Sequence, residues 1–295
     1  MFQAQNNPEN INLLKAINFY YSKAKKIKLI MICISIFISI CFLVLRYLKN
    51  VESVKFNNDS IIIYLALGWI VVSYFLDKWS NILILIASKI QEKFDVELFK
   101  LDKNDILFSK DINEEIIYVG AENFEGNVDK LNDWYGDKYL IVNHDLKVLI
   151  AQRMNIIWGN ELKKKFSFLL YFLLIILIAL PLLLALSKNL IINDTLLYLA
   201  LPMVPVYLMI FSSLSKINKQ ISMNEFIDNK ILVDCNNLNQ KIKDKCRQYQ
   251  DYIYKENRVN SVLIPDWFFK INRDSMNNKI IQTNNDLLNK YSSIE

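Results

Sequence analysis

The sequence predicts an all-α membrane protein. Four transmembrane helices form two hairpins, and a helical cytoplasmic domain is built from the 88–165 and 216–295 segments and an N-terminal helix. Three observations predict it. The 295 residues include only five glycines and five prolines, so turns are few and long helices are favoured. Four separate runs are apolar for about the twenty residues that a helix needs to cross a hydrocarbon core of about 30 Å. Outside those runs the apolar residues recur at three- and four-residue spacing, and residues 88–165 hold no convincing alternating strand.

The organisation reads as five parts. Residues 1–26 are an amphipathic cytoplasmic helix, 27–87 the first membrane hairpin, 88–165 a cytoplasmic segment, 166–215 the second hairpin and 216–295 the C-terminal cytoplasmic helices. Asn7 is placed to cap a helix with Pro8 at its first position, and Ile11, Leu14, Ile17, Tyr21 and Ala24 make one face of it. This helix is expected to run into the first span, Ile27 to Leu48, which starts too late and is too long for a cleaved signal peptide. The second span begins near Ser60 and meets Asp77, Lys78 and Trp79, read as the membrane interface within one long helix. The rival reading puts Asp77 and Lys78 inside the bilayer, where charges are costly and usually functional. The third span is Phe166 to Leu186 and the fourth Thr195 to Leu214.

Three helices are expected over about 82–100, 111–124 and 145–165. Residues 215–257 read as one long polar helix with a leaky apolar seam through Ile217, Ile221, Ile231, Cys235, Leu238, Ile242 and Tyr249, interrupted at Asn224 and Asp228. Pro265 starts a last helix. Orientation follows from lysines in short flanks. Lys23, Lys25, Lys26 and Lys28 precede span one, Lys89 and Lys93 follow span two, Lys163, Lys164 and Lys165 precede span three, and Lys216 and Lys219 follow span four. The positive-inside rule then puts both termini and 88–165 in the cytoplasm of a multi-pass membrane protein.

Composition narrows function. A net charge of +5 without a basic run gives no nucleic-acid-binding signature. Four cysteines without a CxxC pair and a single histidine, His144, argue against a disulfide framework, a zinc site and a catalytic metal. No GxSxG, P-loop, HExxH or Gly-rich dinucleotide turn is present, so no enzyme and no cofactor are expected.

Four blocks, NPENINLLKAINFYYSKAK, IQEKFDVELFKL, WY followed by AQRMNIIWGNELKKKF, and RVNSVLIPDWFFKINRD, resemble the SMODS-associated four-transmembrane-helix effector family. The resemblance covers most of the chain, including the order of the spans. Such proteins are encoded beside cyclic-nucleotide synthetases in bacterial antiphage defence (CBASS). The resemblance implies an effector that senses a cyclic oligonucleotide from that synthetase, oligomerises or opens in the inner membrane and kills or arrests the infected cell. The rival readings are a small transporter or constitutive channel subunit, and a membrane scaffold recruiting partners through the 215–257 helix.

The chemistry of a cyclic nucleotide selects the ligand candidates. Phosphates need guanidinium or ammonium groups, base faces need aromatic planes, and base edges need amides. Arg153, Arg258 and Arg273 fall in the resembling blocks, accompanied by Trp134, Tyr135 and Trp158 and by the amides of Gln152 and Asn155. Arg153 lies within the stripe of Leu146, Leu149, Ile150 and Ile157, so it faces inward and needs an anionic partner. That partner is either a protein carboxylate, with Asp95, Glu97, Asp133 and Asp266 as candidates, or a ligand phosphate. On span one, Lys28, Ser35, Ser39 and Arg46 fall within about 40° of one another, a strip that either lines a pore between subunits or packs helices through small residues.

Overall fold

The computed structural model describes residues 2–49, 59–107, 111–133, 135, 143–187, 192, 195–238, 241–272 and 276. Pro8 opens helix α1 (Pro8–Lys49), where its missing N–H is no loss, and Ile11 N donates to Asn7 O at 2.9 Å. The N-terminal amphipathic stretch and the first apolar run are therefore one helix of 42 residues. Helix α2 (Asp59–Phe99) passes through Asp77 unbroken. It stops at Lys100, whose φ of 52° is left-handed, and Leu101 N donates back to Val96 O at 3.1 Å in a Schellman-type end. Asn113 caps α3 (Glu114–Glu122) by accepting from Glu115 N at 3.0 Å, which makes the helix shorter than the predicted 111–124. Helix α4 (His144–Ser187) joins the predicted 145–165 helix to the third apolar run without a break.

Two expectations need correction. The fourth apolar run is not one regular helix. Thr195–Ala200 is a π-helical turn and Leu201–Met203 a 3-10 turn before α5 (Val204–Asn236) begins. Pro202 lies in the 3-10 turn, and Pro205 in the first turn of α5, where its missing N–H has no intrahelical acceptor to lose. The predicted 215–257 helix also breaks. α5 ends in the Asn236-Asn237 pair, where Asn236 Nδ2 donates to Leu232 O at 2.8 Å. Asparagine side chains compete with the backbone for such acceptors, and three of them fall within four residues here. The chain resumes as α6 (Ile242–Tyr252), which widens into a π-helical segment, Ile253–Val259. A last helix covers 266–272. No strand occurs among the described residues.

The chain divides into two compact units. The first comprises Met1–Lys23, Ile82–Phe166 and Lys216–Glu295, and the second Ala24–Asn81 and Ser167–Ser215. The first has a conventional apolar core, with Leu14, Ile90, Phe94, Phe99, Leu149, Ile150, Ile217, Ile231 and Ile253 fully buried. Of the predicted 215–257 seam, Ile217, Ile231, Cys235, Ile242 and Tyr249 are buried inside this unit, while Leu238 is exposed.

In the second unit α1 and α2 pair antiparallel. Lys28 Nζ contacts Asp77 Oδ1, Trp69 Nε1 donates to Ser35 Oγ at 2.8 Å, and Ser80 Oγ donates to Ala24 O at 3.2 Å. α4 and α5 meet where Tyr207 Oη donates to Leu177 O at 2.9 Å. Large apolar side chains such as Phe37, Phe75, Phe168 and Phe172 lie exposed on this unit. Among the described residues, two helices, α4 and the Tyr64–Phe99 part of α2, are long and apolar enough to cross a membrane.

In the first unit α3 packs on α1 through Gly120. A Cβ added there would meet Tyr20 Cε2 at 2.7 Å and the Cβ and Cα of Ala16 at 2.9 and 3.0 Å. Because Ala16 Cα is backbone, the contact cannot relax by a rotamer change. Gly120→Ala is therefore expected to destabilise the protein by about 1–3 kcal/mol, in spite of alanine's better helix propensity. Thermal unfolding of the two proteins in the same detergent checks this, and an equal or higher midpoint would show that α3 is free to move away from α1.

Candidate functional site

The centre of the first unit is charged. Within the sequence IQEKFDVELF, Ile90, Phe94 and Leu98 bury one stripe of α2, and the adjacent Glu92 and Asp95 are buried with them. Both carboxylates are met by arginines from the C-terminal segment. Arg258 Nη1 reaches Glu92 Oε2 at 3.3 Å, and its Nη2 donates to Asp95 Oδ2. Arg247 Nη2 donates to Glu92 Oε1 at 2.7 Å, and its Nε donates to Asp251 Oδ1 at 2.9 Å. Gln250 Nε2 donates to Glu92 Oε2 at 2.7 Å, and Tyr135 Oη to Asp95 Oδ1 at 2.9 Å. α2, α6, the π-helical segment and the loop at Tyr135 are thus tied to two carboxylates.

The electrostatics follow from burial and pairing. Burial raises the Glu92 carboxyl above its usual range, against the opposing pull of Arg258 and Arg247. Burial also disfavours the Arg258 charge, but Asp95 and Glu92 outweigh it and hold the guanidinium more firmly protonated than usual. Tyr135 is pushed well above the ordinary phenol range by burial and by Asp95.

The predicted ligand residues are distributed around this cluster. Gln152 Nε2 donates to Cys246 O at 2.8 Å and to Gln250 Oε1 at 3.2 Å. Asn155 Nδ2 donates to Tyr135 Oη at 3.0 Å. Trp158 stacks at a tilt on Phe269, with centroids 4.9 Å apart. Arg258 is engaged by both carboxylates. Trp134 and Arg273 lie outside the described residues.

Arg153 faces inward, with only 5% of its surface exposed. Its partner is a protein carboxylate, but none of the four considered from sequence. Arg153 Nε lies 2.6 Å from Asp228 Oδ1 of α5, poorly aligned for a hydrogen bond, while Nη2 donates to Oδ2 at 3.5 Å. Nη1 is buried without a hydrogen-bond partner. Asp95 instead serves Arg258, and Asp133 accepts from Asn6 Nδ2 at 2.8 Å. On the first helix, Lys28 pairs with Asp77, Ser39 Oγ donates to Ser35 O at 2.8 Å, and Ser35 and Ser39 are buried. The Arg46 side chain lies outside the described residues.

Sequence reasoning missed Glu92, Arg247, Gln250 and Asp228. The available signal was helical spacing: Arg247, Gln250, Tyr254 and Arg258 share one face, the same pattern that singled out Arg153. It also treated Lys163 as an ordinary flanking charge. Lys163 is buried, and among the described residues its amine donates to Asn257 Oδ1 at 2.7 Å. Around it Asn224 Oδ1 accepts from Tyr252 Oη at 2.7 Å and from Asn257 Nδ2 at 2.9 Å. With no carboxylate contact among the described residues, burial lowers the Lys163 amine to about 8.

A profile for the SMODS-associating 4TM effector domain matches residues 1–287, nearly the whole chain. The chain belongs to this family. A protein of Bacillus cereus strain VD146, described as a probable CBASS effector molecule, is 32% identical over 291 residues, covering 96% of this chain and 97% of its own. No solved structure matches. In this SMODS-associating 4TM effector, therefore, the exposed apolar helices belong to a membrane protein of antiphage defence.

Two outcomes are expected. Arg258→Met leaves Glu92 and Asp95 buried with too little positive charge, so it should cost about 3–5 kcal/mol in unfolding free energy. Arg258→Met together with Glu92→Gln and Asp95→Asn should recover part of that loss. Lys163 sets a pH dependence whose sign is fixed. Its folded value of about 8 lies below the unfolded 10.5, so the unfolded chain binds more protons between them. Stability should then rise from pH 8 to pH 10, by about 2 kcal/mol from this group. Lys163→Met should remove that rise, as read by unfolding midpoints across the range.

Proposed function

We propose that this SMODS-associating 4TM effector is gated by a cyclic nucleotide from a neighbouring synthetase and oligomerises to permeabilise or depolarise the bacterial inner membrane. The first unit would be the sensor, and the spans over 27–48, 60–76, 166–186 and 195–214 would form two membrane hairpins with both termini in the cytoplasm. One observation carries the reading. Helices α1, α2, α4 and α5 each contribute residues to both units without interruption. A ligand that prefers one packing of these helices in the first unit therefore has no flexible linker to absorb the change, and its differential affinity biases the second unit as well.

Arg153 fits such a switch. It joins α4 to α5 through Asp228, and its unpaired Nη1 retains a donor for a phosphate oxygen. Within one chain, Ser35, Ser39, Ser73 and Ser80 are buried, while the large side chains exposed along the apolar runs, such as Phe37, Phe75, Phe168 and Phe172, are apolar. A conducting path therefore requires several copies or a disturbed bilayer, and the activated state is read here as an oligomer.

Liposomes loaded with a self-quenching dye and carrying the full-length protein test the reading against a panel of synthetic cyclic di- and trinucleotides. The expected result is release with one or a few members of the panel and none without ligand. Release that is equally fast without any nucleotide, or no release and no calorimetric binding with the whole panel, would remove gating from the account.

A further inference from the structure

Two cavities among the described residues of the first unit differ in how their lysines are paired. One, of about 370 Å³, is walled by α2, Lys103 and the 111–114 stretch. Two of its lysines are already neutralised, Lys93 by Glu114 at 2.5 Å and Lys103 by Asp111. The other, of about 460 Å³, lies between the loop after α2, the α5 turn at Lys219–Met223 and the junction of α6 with the π-helical segment. That volume is in the range of small-molecule sites. Lys219 and Lys255 stand on its wall, and neither side-chain amine makes an ion pair or hydrogen bond among the described residues. The carboxylates beside them have other partners. Asp251 accepts from Arg247 and from Asn104 Nδ2 at 2.8 Å, and Glu256 accepts from Asn260 Nδ2 at 3.3 Å.

We infer that this second cavity is the binding site for the phosphates and one base of the cyclic oligonucleotide, with Lys219 and Lys255 as the phosphate contacts. The assignment rests on the gated-effector reading above and deepens it. Tyr252 supplies the base platform. Its ring is part of the wall, and its hydroxyl donates to Asn224 Oδ1, which fixes the ring for stacking. Ile106, 92% exposed, and the half-covered Met223 add apolar surface that a stacked base would bury.

The cavity is also wired to the charged core. Lys255 and Arg258 share the π-helical segment, one on the cavity wall and the other holding Glu92 and Asp95. π-Helical turns are uncommon and recur at functional sites. Gln220 bridges this segment to α5, because its Nε2 donates to Glu256 O and to Asn260 O. Those two bonds fix the amide orientation and leave Oε1 buried without a partner. A ligand N–H reaches that oxygen only if the wall shifts, and the shift gains a hydrogen bond that the empty state lacks. Such a gain is the differential interaction a ligand needs to move the equilibrium.

The test is calorimetric binding of the synthetic cyclic di- and trinucleotide panel to the full-length protein in nanodiscs. For the panel member that binds the wild type, Lys219→Ala with Lys255→Ala should weaken affinity by about ten- to a hundredfold, with Lys→Arg at both positions restoring most of it. Lys89→Ala, in the smaller cavity, should change affinity less than twofold. Unfolding midpoints within about 2 °C of the wild type show that the exposed lysine variants are folded. If the wild type binds and the double variant binds equally well, the site is wrong and the gating reading stands. If Arg153→Ala alone abolishes binding while the lysine variants do not, the ligand lies against Arg153 and the cavity assignment is overturned. If no panel member binds the wild type, both readings fall together.

Discussion

Glu92 and Asp95 stand beside the buried stripe of α2, and two arginines from another part of the chain close on them. The rest of the first unit depends on this arrangement. The unit is assembled from three segments widely separated in sequence, so few local contacts hold it together. Apolar burial gives compactness but little registry, since one aliphatic side chain replaces another at modest cost. A buried carboxylate pair is less permissive, because any packing that leaves it without cations is costly. Arg258 and Arg247 can satisfy Glu92 and Asp95 only when α6 and the π-helical segment reach α2 in one register. The charged core thus specifies which helices meet, and the apolar core around it supplies most of the burial.

The same logic explains why polar residues interrupt the apolar seam of α5. Asn224 and Asp228 looked like defects in a coiled-coil pattern. In the structure Asn224 accepts from Tyr252 and Asn257, and Asp228 takes Arg153. Gln220, one turn before Asn224, holds the carbonyls of Glu256 in the π-helical segment and of Asn260 just past its end. These polar positions of α5 therefore carry its specific contacts with α4, α6 and the segment that follows. Each leaves something unsatisfied or strained: Arg153 Nη1, Gln220 Oε1, and Lys163 with a single hydrogen bond among the described residues. A core this incompletely satisfied is a place where a second packing can lie close in free energy, as a switch requires.

Much of the fold was legible because long helices leave a long signal. The start of α1 at Pro8, the continuity of α1 and of α2, and the burial of Arg153 all follow from spacing and capping residues. Breaks were harder to see. The interruption after Asn236 depends on an asparagine run that pattern matching treats as neutral, and the π-helical and 3-10 turns near Pro202 shift the ladder without changing the apolar pattern. The site was less legible still. Arg153 could be recognised as needing an anion, but its partner Asp228 lies 75 residues away and reads locally as a flaw in a seam. Lys163 shows the converse. Its sequence neighbours Lys164 and Lys165 make it look like a membrane flank, and only the tertiary packing reveals that it is buried.

These observations bear on what an activating ligand has to overcome. Arg258 is held by two carboxylates, so recruiting it to a phosphate would strand Glu92 and Asp95 in the interior, at a cost comparable to breaking a buried pair. Lysines at the edge of a cavity carry no such penalty, because they exchange water for phosphate. Under the proposed reading, phosphate binding at exposed lysines and structural coupling through carboxylate-held arginines would be complementary roles. The first can change with ligand, while the second keeps the helices in register through the change. On the proposed division Arg258 and Arg247, held by carboxylates, would transmit the signal rather than receive it.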